Sequence, residues 1–405
     1  MKKTVRIHSH LVDGVVANLS QSFFEGYYID KVIERSFKSH KKWGARDRKF
    51  VAETTYDMCR WWSRLWAILG KSPVDDSELL LELFFVYWLE RGNELPPWAE
   101  IRNDKLNQWE SNASSLGESL EFKYAFPEWI LNKLSGEVPE EDFEDLLHGL
   151  NEPAKVVLRV NLIKTNLAKL KKNLQEEGIS TEIVDNYPDA LVLSQRENVF
   201  RTNAFKEGHF EVQDGASQTV APLLGVKPGE RVIDACAGAG GKSLHLASLM
   251  ENKGRLISLD IHDYKLKELK KRARRNSVSI IETRPIESTK VIKRLQEAAD
   301  AVLLDVPCSG LGVLRRNPDT KWKLSEPRLD ELKQIQKDIL ERYSKMCKKG
   351  GRLVYATCSI LREENEEQVE AFLKANAGFR LVEDRRHFPH IDGFDGFYAA
   401  LLERQ

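Results

Sequence analysis

The chain has 405 residues, 41% hydrophobic and 31% charged, with formal net charge zero. That is the composition of a folded protein long enough for two or three cores, and its neutrality argues against a generally cationic nucleic-acid binder. No apolar run approaches the roughly 18 residues of a membrane span. The start Met1-Lys2-Lys3-Thr4-Val5-Arg6-Ile7-His8 has no apolar stretch behind it, so no secretory signal is expected. Five cysteines, at 59, 236, 308, 347 and 358, are an odd number in a large chain. They point away from a disulfide framework and towards reducing cytoplasm.

Residues 1–150 read as helical. Phe50, Val51, Thr54, Met58, Cys59, Trp62, Leu65 and Trp66 recur at three- and four-residue spacing, as on one buried helix face. Further helices are predicted over 77–91, 98–109, 127–134 and 140–150, with Pro96-Pro97 as an interruption. Residues 151–225 read as a small α+β unit, with strands near 156–161, 181–184 and 190–193 and a helix over 167–177. From Gly225 strands and helices alternate, which implies a doubly wound, mostly parallel sheet over 226–405. Ligands of such sheets sit at the carboxyl ends of the strands.

Two clusters are locally basic. Residues 38–49 carry Lys38, Lys41, Lys42, Arg46, Arg48 and Lys49, and residues 265–275 carry seven lysines and arginines. Each suits phosphate contact or a solvated helix face.

The string from Val232 to Ser243 is a strand, a glycine-rich loop and a helix start. Asp234, Ala237, Gly238, Ala239, Gly240, Gly241 and Lys242 can bring backbone N–H groups against a ligand. Asp260 ends the next strand, where a carboxylate can bond a ribose diol. Alone, the pattern suits a nicotinamide dinucleotide or S-adenosyl-L-methionine. Position 243 is serine where the dinucleotide pattern wants glycine, and P-loop spacing is missing.

Cysteines end two later strand-like runs, in Asp305-Val306-Pro307-Cys308-Ser309 and Tyr355-Ala356-Thr357-Cys358-Ser359. A thiolate adding to C6 of a pyrimidine makes C5 nucleophilic enough to take a methyl group from a sulfonium. Such chemistry also needs a carboxylate for the base's polar edge and a further acid or base. Asp305 and Lys242 are the candidates. No Cys-x-x-Cys or His-x-x-x-His spacing accompanies the thiols, so no metal is expected. Between the cysteines, Gly310–Asp319 reads as a flexible basic loop able to close over a nucleotide.

The strings DACAGAGGKS, DVPCSGLG with RRNPDTKW, YATCSILREENEEQVE, EVQDGASQ and DGFYAALLER resemble the RNA (cytosine-5) methyltransferases of the Sun/Nop type. The resemblance covers 155–405 in order. It implies a Rossmann-like methyltransferase domain that uses S-adenosyl-L-methionine to make 5-methylcytosine in RNA. Cys358 is then the nucleophile, Cys308 the residue that assists release, and Asp305 the cytosine contact. Lys242 matches the active-site lysine, Asp260 the ribose ligand and Ala237 to Lys242 the methionine loop. Two departures are visible: Gly238-Ala239 stand where the family usually has alanine-proline, and Glu282 is the nearest acid to the expected adenine-side aspartate. The first third, through Trp43-Gly44-Ala45-Arg46-Asp47-Arg48-Lys49-Phe50-Val51, is similar to NusB-like RNA-binding domains. That implies 16S rRNA as substrate, with the target base out of its stack. A transfer-RNA methyltransferase, a non-catalytic ribosome assembly factor and, more distantly, a dehydrogenase are the alternatives.

Overall fold

The computed structural model describes residues 7–405. Residues 1–6, part of the start for which no secretory signal was expected, lie outside the described residues. Two compact units emerge. One holds the described residues up to Asn151 together with Leu314–Leu324; the other holds Glu152–Val313 and Ser325–Gln405.

The first unit is helical. The apolar periodicity across 50–66 divides into two helices, Ala45–Arg60 and Trp62–Leu69, because the backbone leaves helical geometry at Trp61. Helix Ser77–Glu90 starts where Asp76 accepts the N–H groups of Glu78 and Leu79, which satisfies two orphan donors of the first turn. The helix expected from residue 98 begins later, at Asn103, since the stretch after Pro96-Pro97 stays irregular. Helices Ser9–Phe23 and Ile29–Ser39 fall in the stretch read as helical, although no bounds were expected for them. Leu19, Val51, Met58, Leu65, Trp66 and Phe84 form the centre of the core, all nearly or fully buried.

The segment Leu314–Leu324 corrects an expectation. Leu314–Asp319, the greater part of the stretch read as a flexible basic loop, belongs to this helical core, whereas Gly310–Val313 belongs to the other unit. Lys321 is buried, and its Nζ donates to Asn151 Oδ1 at 2.6 Å and to the Ala125 carbonyl at 3.0 Å, above the Phe126 ring. Burial pushes this amine well below the usual lysine range. Asp319 accepts the Ile29 N–H at 3.1 Å. Buried polar groups persist only with such partners, so these residues are held in place rather than presented to a ligand.

In the second unit a small antiparallel sheet is ordered β2-β3-β1-β4, with β1 Val157–Val160, β2 Thr181–Ile183, β3 Ala190–Leu193 and β4 Phe210–Val212. The larger sheet has seven strands: β5 Arg231–Asp234, β6 Arg255–Asp260, β7 Ile281–Pro285, β8 Ala299–Asp305, β9 Cys347–Thr357, β10 Phe379–His387 and β11 Phe397–Arg404. Their order is β10-β11-β9-β8-β5-β6-β7. Strands β5 to β9 pair in parallel, and β11 runs antiparallel to both β9 and β10. The terminal antiparallel pair was not foreseen. Val302, Leu303 and Leu304 are fully buried in succession, as in a strand covered on both faces. Each such aliphatic side chain contributes about 1.5–3 kcal/mol. The strand order reverses between β5 and β8, and a crevice forms at such a switch point. Asp234, Asp260, Asp305 and Thr357 are the last residues of their strands.

Candidate active site

The glycine loop begins at Asp234 and ends in helix Gly241–Leu249. Gly240 adopts φ +88°, and a Cβ there would lie 2.0 Å from Leu269 Cδ1, so glycine is required by both backbone and packing. Gly238 is also left-handed, at φ +53°, with open space where a side chain would begin. Its N–H donates to Asp260 Oδ2 at 2.8 Å, and the His262 N–H donates to Asp260 Oδ1 at 2.7 Å. A carboxylate has about four acceptor positions, so two remain for a diol. The loop therefore fits an adenosyl-type cofactor: open glycine backbone on one side and a fixed carboxylate with spare acceptors on the next strand.

Asp234 lies beneath this loop rather than on its open side. It is 1% exposed and accepts the Ser243 hydroxyl at 2.6 Å; Ser243 in turn meets Ser258 at 2.9 Å. Burial pushes its carboxyl up to about 7, and the nearby Asp305 charge adds to the rise. Cys236 also has its thiol pushed well up by burial, which makes it a poor nucleophile.

Two arginines clasp the loop from behind: Arg159, which the sequence reading did not single out, and Arg272, read there only as part of a basic cluster. Arg272 donates to the Ala239 carbonyl at 2.8 Å, and Arg159 on β1 donates to the Gly241 carbonyl at 2.6 Å. Buried Glu211 on β4 holds Arg272 at 2.9 Å and also pairs with Arg275. The basic cluster 265–275 is thus partly structural: two of its arginines are committed to Glu211. In the other cluster, Lys38 pairs with Glu34 and Arg48 donates to the Trp43 carbonyl, while Lys41, Lys42 and Arg46 are exposed.

Glu282 is not brought to the loop. Register places it opposite Ile257, three steps before the Asp260 pair, and its carboxylate bonds Arg255 and Arg284. The placement by sequence distance failed because β7 continues to Pro285 and carries its end beyond Glu282. Ile261, directly after Asp260, is an exposed apolar neighbour of that carboxylate instead.

At the end of β8, Asp305 Oδ2 accepts Lys242 Nζ at 2.7 Å, an ion pair only partly open to solvent. The same ammonium lies 4.7 Å from the centre of the Phe397 ring, a contact supplied by the unforeseen strand β11. Parallel pairing sets Asp305 beside Ala356, so the loops that follow β8 and β9 start together. Cys308 Sγ and Cys358 Sγ come within 3.3 Å. Both are partly buried and neither is in a disulfide. The Cys308 thiol is pushed well up by its hydrogen bond with Cys358 and then by burial.

The two cysteine loops share a buried hydrogen-bond cluster. Glu364, fully buried, accepts the Ser309 N–H at 2.8 Å, the Ser309 hydroxyl, and Gln336 Nε2 at 2.8 Å. Ser309 Oγ also meets Ser359 Oγ at 3.2 Å. Asn365 accepts the Thr357 hydroxyl and donates to the Ser359 carbonyl at 3.1 Å. Gly312 completes the fit: its N–H donates to the Cys358 carbonyl at 3.0 Å, and a Cβ would lie 2.2 Å from the Gly396 oxygen. Glu364 and Asn365 stood in the quoted REEN string, but nothing in their spacing marked them as buried.

The crevice thus offers a glycine loop open to a ligand, an aspartate–lysine pair and two adjacent thiols. Among the described residues, no His, Cys, Asp and Glu cluster suits a metal ion, and no helix is long and apolar enough to cross a membrane. The family model of the 16S rRNA methyltransferase RsmB/F matches residues 221–403, and the ferredoxin-like domain of the same family matches 126–200. The probable ribosomal RNA small subunit methyltransferase B of Bacillus subtilis (strain 168) is 36% identical over 297 residues, covering 69% of this chain and 66% of that protein. Ribosomal RNA small subunit methyltransferase B of Proteus mirabilis (strain HI4320) is 34% identical over 317 residues, covering 76% and 74%. The crystal structure of PH0851 aligns with TM-score 0.83 and 27% identity over 99% of this chain and 100% of that one. That of NSun6 from Pyrococcus horikoshii with SFG aligns with TM-score 0.64 and 21% identity over 69% and 99%, a likeness of fold. The chain belongs to the RsmB/F family of 16S rRNA methyltransferases.

Proposed function

We propose that the protein methylates C5 of a cytosine in small-subunit ribosomal RNA, with S-adenosyl-L-methionine as donor and a covalent Cys358 adduct on the pathway. The observation that carries this reading is the pair of thiols 3.3 Å apart, beside an aspartate–lysine pair and next to a nucleoside-type loop. A methyl transfer to oxygen or to an amine needs no second thiol, whereas C5 of cytosine is unreactive until a nucleophile adds at C6.

When bound, the cofactor supplies an electrophilic methyl group on a sulfonium. Ala237, Gly238, Ala239, Gly240 and Gly241 would line its methionine part, and Asp260 would bond its ribose. Exposed Ile261 would offer an apolar side chain on the adenine side. Asp305 accepts from the cytosine amino group, and Lys242 fixes the orientation of that carboxylate. The Cys358 thiolate forms a bond to C6 and the C5–C6 electron pair moves to C5, which takes the methyl group. Loss of the C5 proton to solvent re-forms the double bond, and the S–C6 pair returns to sulfur. Cys308 assists this release from hydrogen-bonding distance. The target base must leave its stack to reach the crevice, which favours an exposed or flipped nucleotide. We further read the helical unit as an RNA-binding domain, through the exposed basic residues of 38–49, and the protein as cytoplasmic.

The test is bisulfite sequencing of ribosomal RNA from strains with and without the gene. One small-subunit cytosine should lose its 5-methyl mark in the deletion and regain it with the wild-type gene but not with Cys358→Ala. Unchanged marks on ribosomal RNA, with a lost mark on transfer RNA, would overturn the choice of substrate.

A further inference from the structure

The two thiols are chemically alike, yet the proposed reaction needs them to behave differently. One must be ionised to attack C6; the other must be a hydrogen-bond donor when the first departs. One buried carboxylate, Glu364, is bonded to the loop of Cys308. Glu364 binds the residue after Cys308 through two donors, the Ser309 N–H at 2.8 Å and the Ser309 hydroxyl. Its carboxylate is linked to the Cys358 loop through Ser309, which meets Ser359 at 3.2 Å, while the Glu364 backbone N–H donates to the Leu361 carbonyl of that loop at 3.1 Å. The carboxylate is itself fixed: Gln336 Nε2 donates to it and to the Pro307 carbonyl, and Tyr355 OH donates to the Glu364 carbonyl at 2.6 Å. Three donors satisfy its charge in a site closed to water.

We infer that Glu364 is a positioning residue that makes Cys308 the proton-carrying member of the thiol pair. The inference rests on the cytosine-5 reading above and goes beyond it by naming what sets the roles. Two effects act together. Geometrically, the clamp on Ser309 fixes the loop from which Cys308 meets Cys358 Sγ. Electrostatically, a second negative charge on Cys308 beside a buried carboxylate is disfavoured, and the charge of Glu364 contributes to holding the Cys308 thiol protonated. Cys358 is left as the thiol that attacks C6. In the release step the S–C6 bond breaks, the electron pair goes to Cys358 Sγ, and the Cys308 S–H donates to that sulfur. The C5 proton passes to solvent, so no other reactant is needed.

Glu364→Gln keeps size and one acceptor oxygen but removes the charge. Three readouts are taken on the full chain: Tm, the RNA adduct retained on a denaturing gel with S-adenosyl-L-methionine present, and the iodoacetamide labelling rates of Cys308 and Cys358 by peptide mass spectrometry without RNA. In the parent, Cys358 should label about tenfold faster than Cys308, because the thiolate is the reacting form. In Glu364→Gln that preference should shrink to about twofold or less. Turnover should fall about tenfold while adduct accumulates, as for Cys308→Ala, and adding Cys308→Ala should cause little further loss. Glu364→Asp, which restores the charge, should recover the labelling preference. If Glu364→Gln does not fold, Ser309→Ala removes one limb of the clamp and carries the same expectations at smaller size. An unchanged labelling preference in a folded variant, or slow turnover without adduct, would overturn the role of Glu364. Absence of adduct even in Cys308→Ala would instead overturn the cytosine-5 reading, and the labelling ratio would still decide the role of Glu364.

Discussion

The glycine loop after β5 and the cysteine loops after β8 and β9 stand at the same edge of one sheet, but different forces hold them. The glycine loop is held through its backbone. Its carbonyls are clasped by Arg159 and Arg272, and the Gly238 N–H is tied to Asp260, while its open side keeps no side chain. The cysteine loops are held through side chains, by Glu364, Gln336, Ser309, Ser359 and Asn365, all buried. A loop that must bring backbone against a ligand leaves its inner face bare and is braced from outside. A loop that must place a sulfur atom needs a packed polar support directly behind it, because the thiol has a rotatable bond and weak hydrogen bonding of its own.

The contrast can be broken from either side. The largest effect is expected from Cys358→Ala, which should lower methyl transfer at least about a thousandfold and abolish adduct, with donor affinity unchanged in calorimetry. Next, Asp234→Asn tests the buried support under the glycine loop. A carboxyl raised to about 7 from 3.8 contributes stability below about pH 4 and loses it as pH rises through 7. The variant should therefore gain on the wild type as pH rises from 4 to 7, by at most about 4 kcal/mol, in Tm series across that range. Asp305→Asn comes third. It leaves the loop intact, so turnover should fall about a hundredfold with little change in donor binding, as measured by steady-state kinetics and calorimetry. Smallest is Arg272→Ala, which frees the Ala239 carbonyl: KM for the donor should rise about tenfold with kcat within about threefold. Should Arg272→Ala lower kcat and leave KM alone, the two loops would not be separately supported in the way described.

Much of the sheet unit was legible because parallel strands announce themselves as apolar runs ending in an acid or a glycine. Asp234, Asp260 and Asp305 fell at strand ends for that reason, and DVPC and ATCS placed the thiols. What was not legible depended on pairing at a distance. Strands β10 and β11 were missed, because β10 is largely exposed and carries five charged residues among nine, a poor strand signal. With β11 went Phe397 and its contact with Lys242. Glu282 was misplaced since sequence distance does not give register, and a one-residue slip already turns a side chain to the other face. Gly310–Asp319 read as a flexible loop able to close over a nucleotide because its glycines and arginines suit a mobile phosphate contact, yet Leu314–Asp319 belongs to the helical core. Lys321 and Asp319 are instead buried with partners far away in the chain, which no local pattern reveals. Glu364 escaped for the same reason: in a charged string it reads as surface.

The central claim is that Cys358 makes the bond to RNA and Cys308 does not. Mass spectrometry of the nucleotide–peptide adduct from Cys308→Ala, digested after incubation with small-subunit RNA and S-adenosyl-L-methionine, tests it most directly. The account predicts a 5-methylcytosine nucleotide attached to the peptide containing Cys358. No attached nucleotide in that variant, together with an adduct on Cys308 in Cys358→Ala, would contradict it.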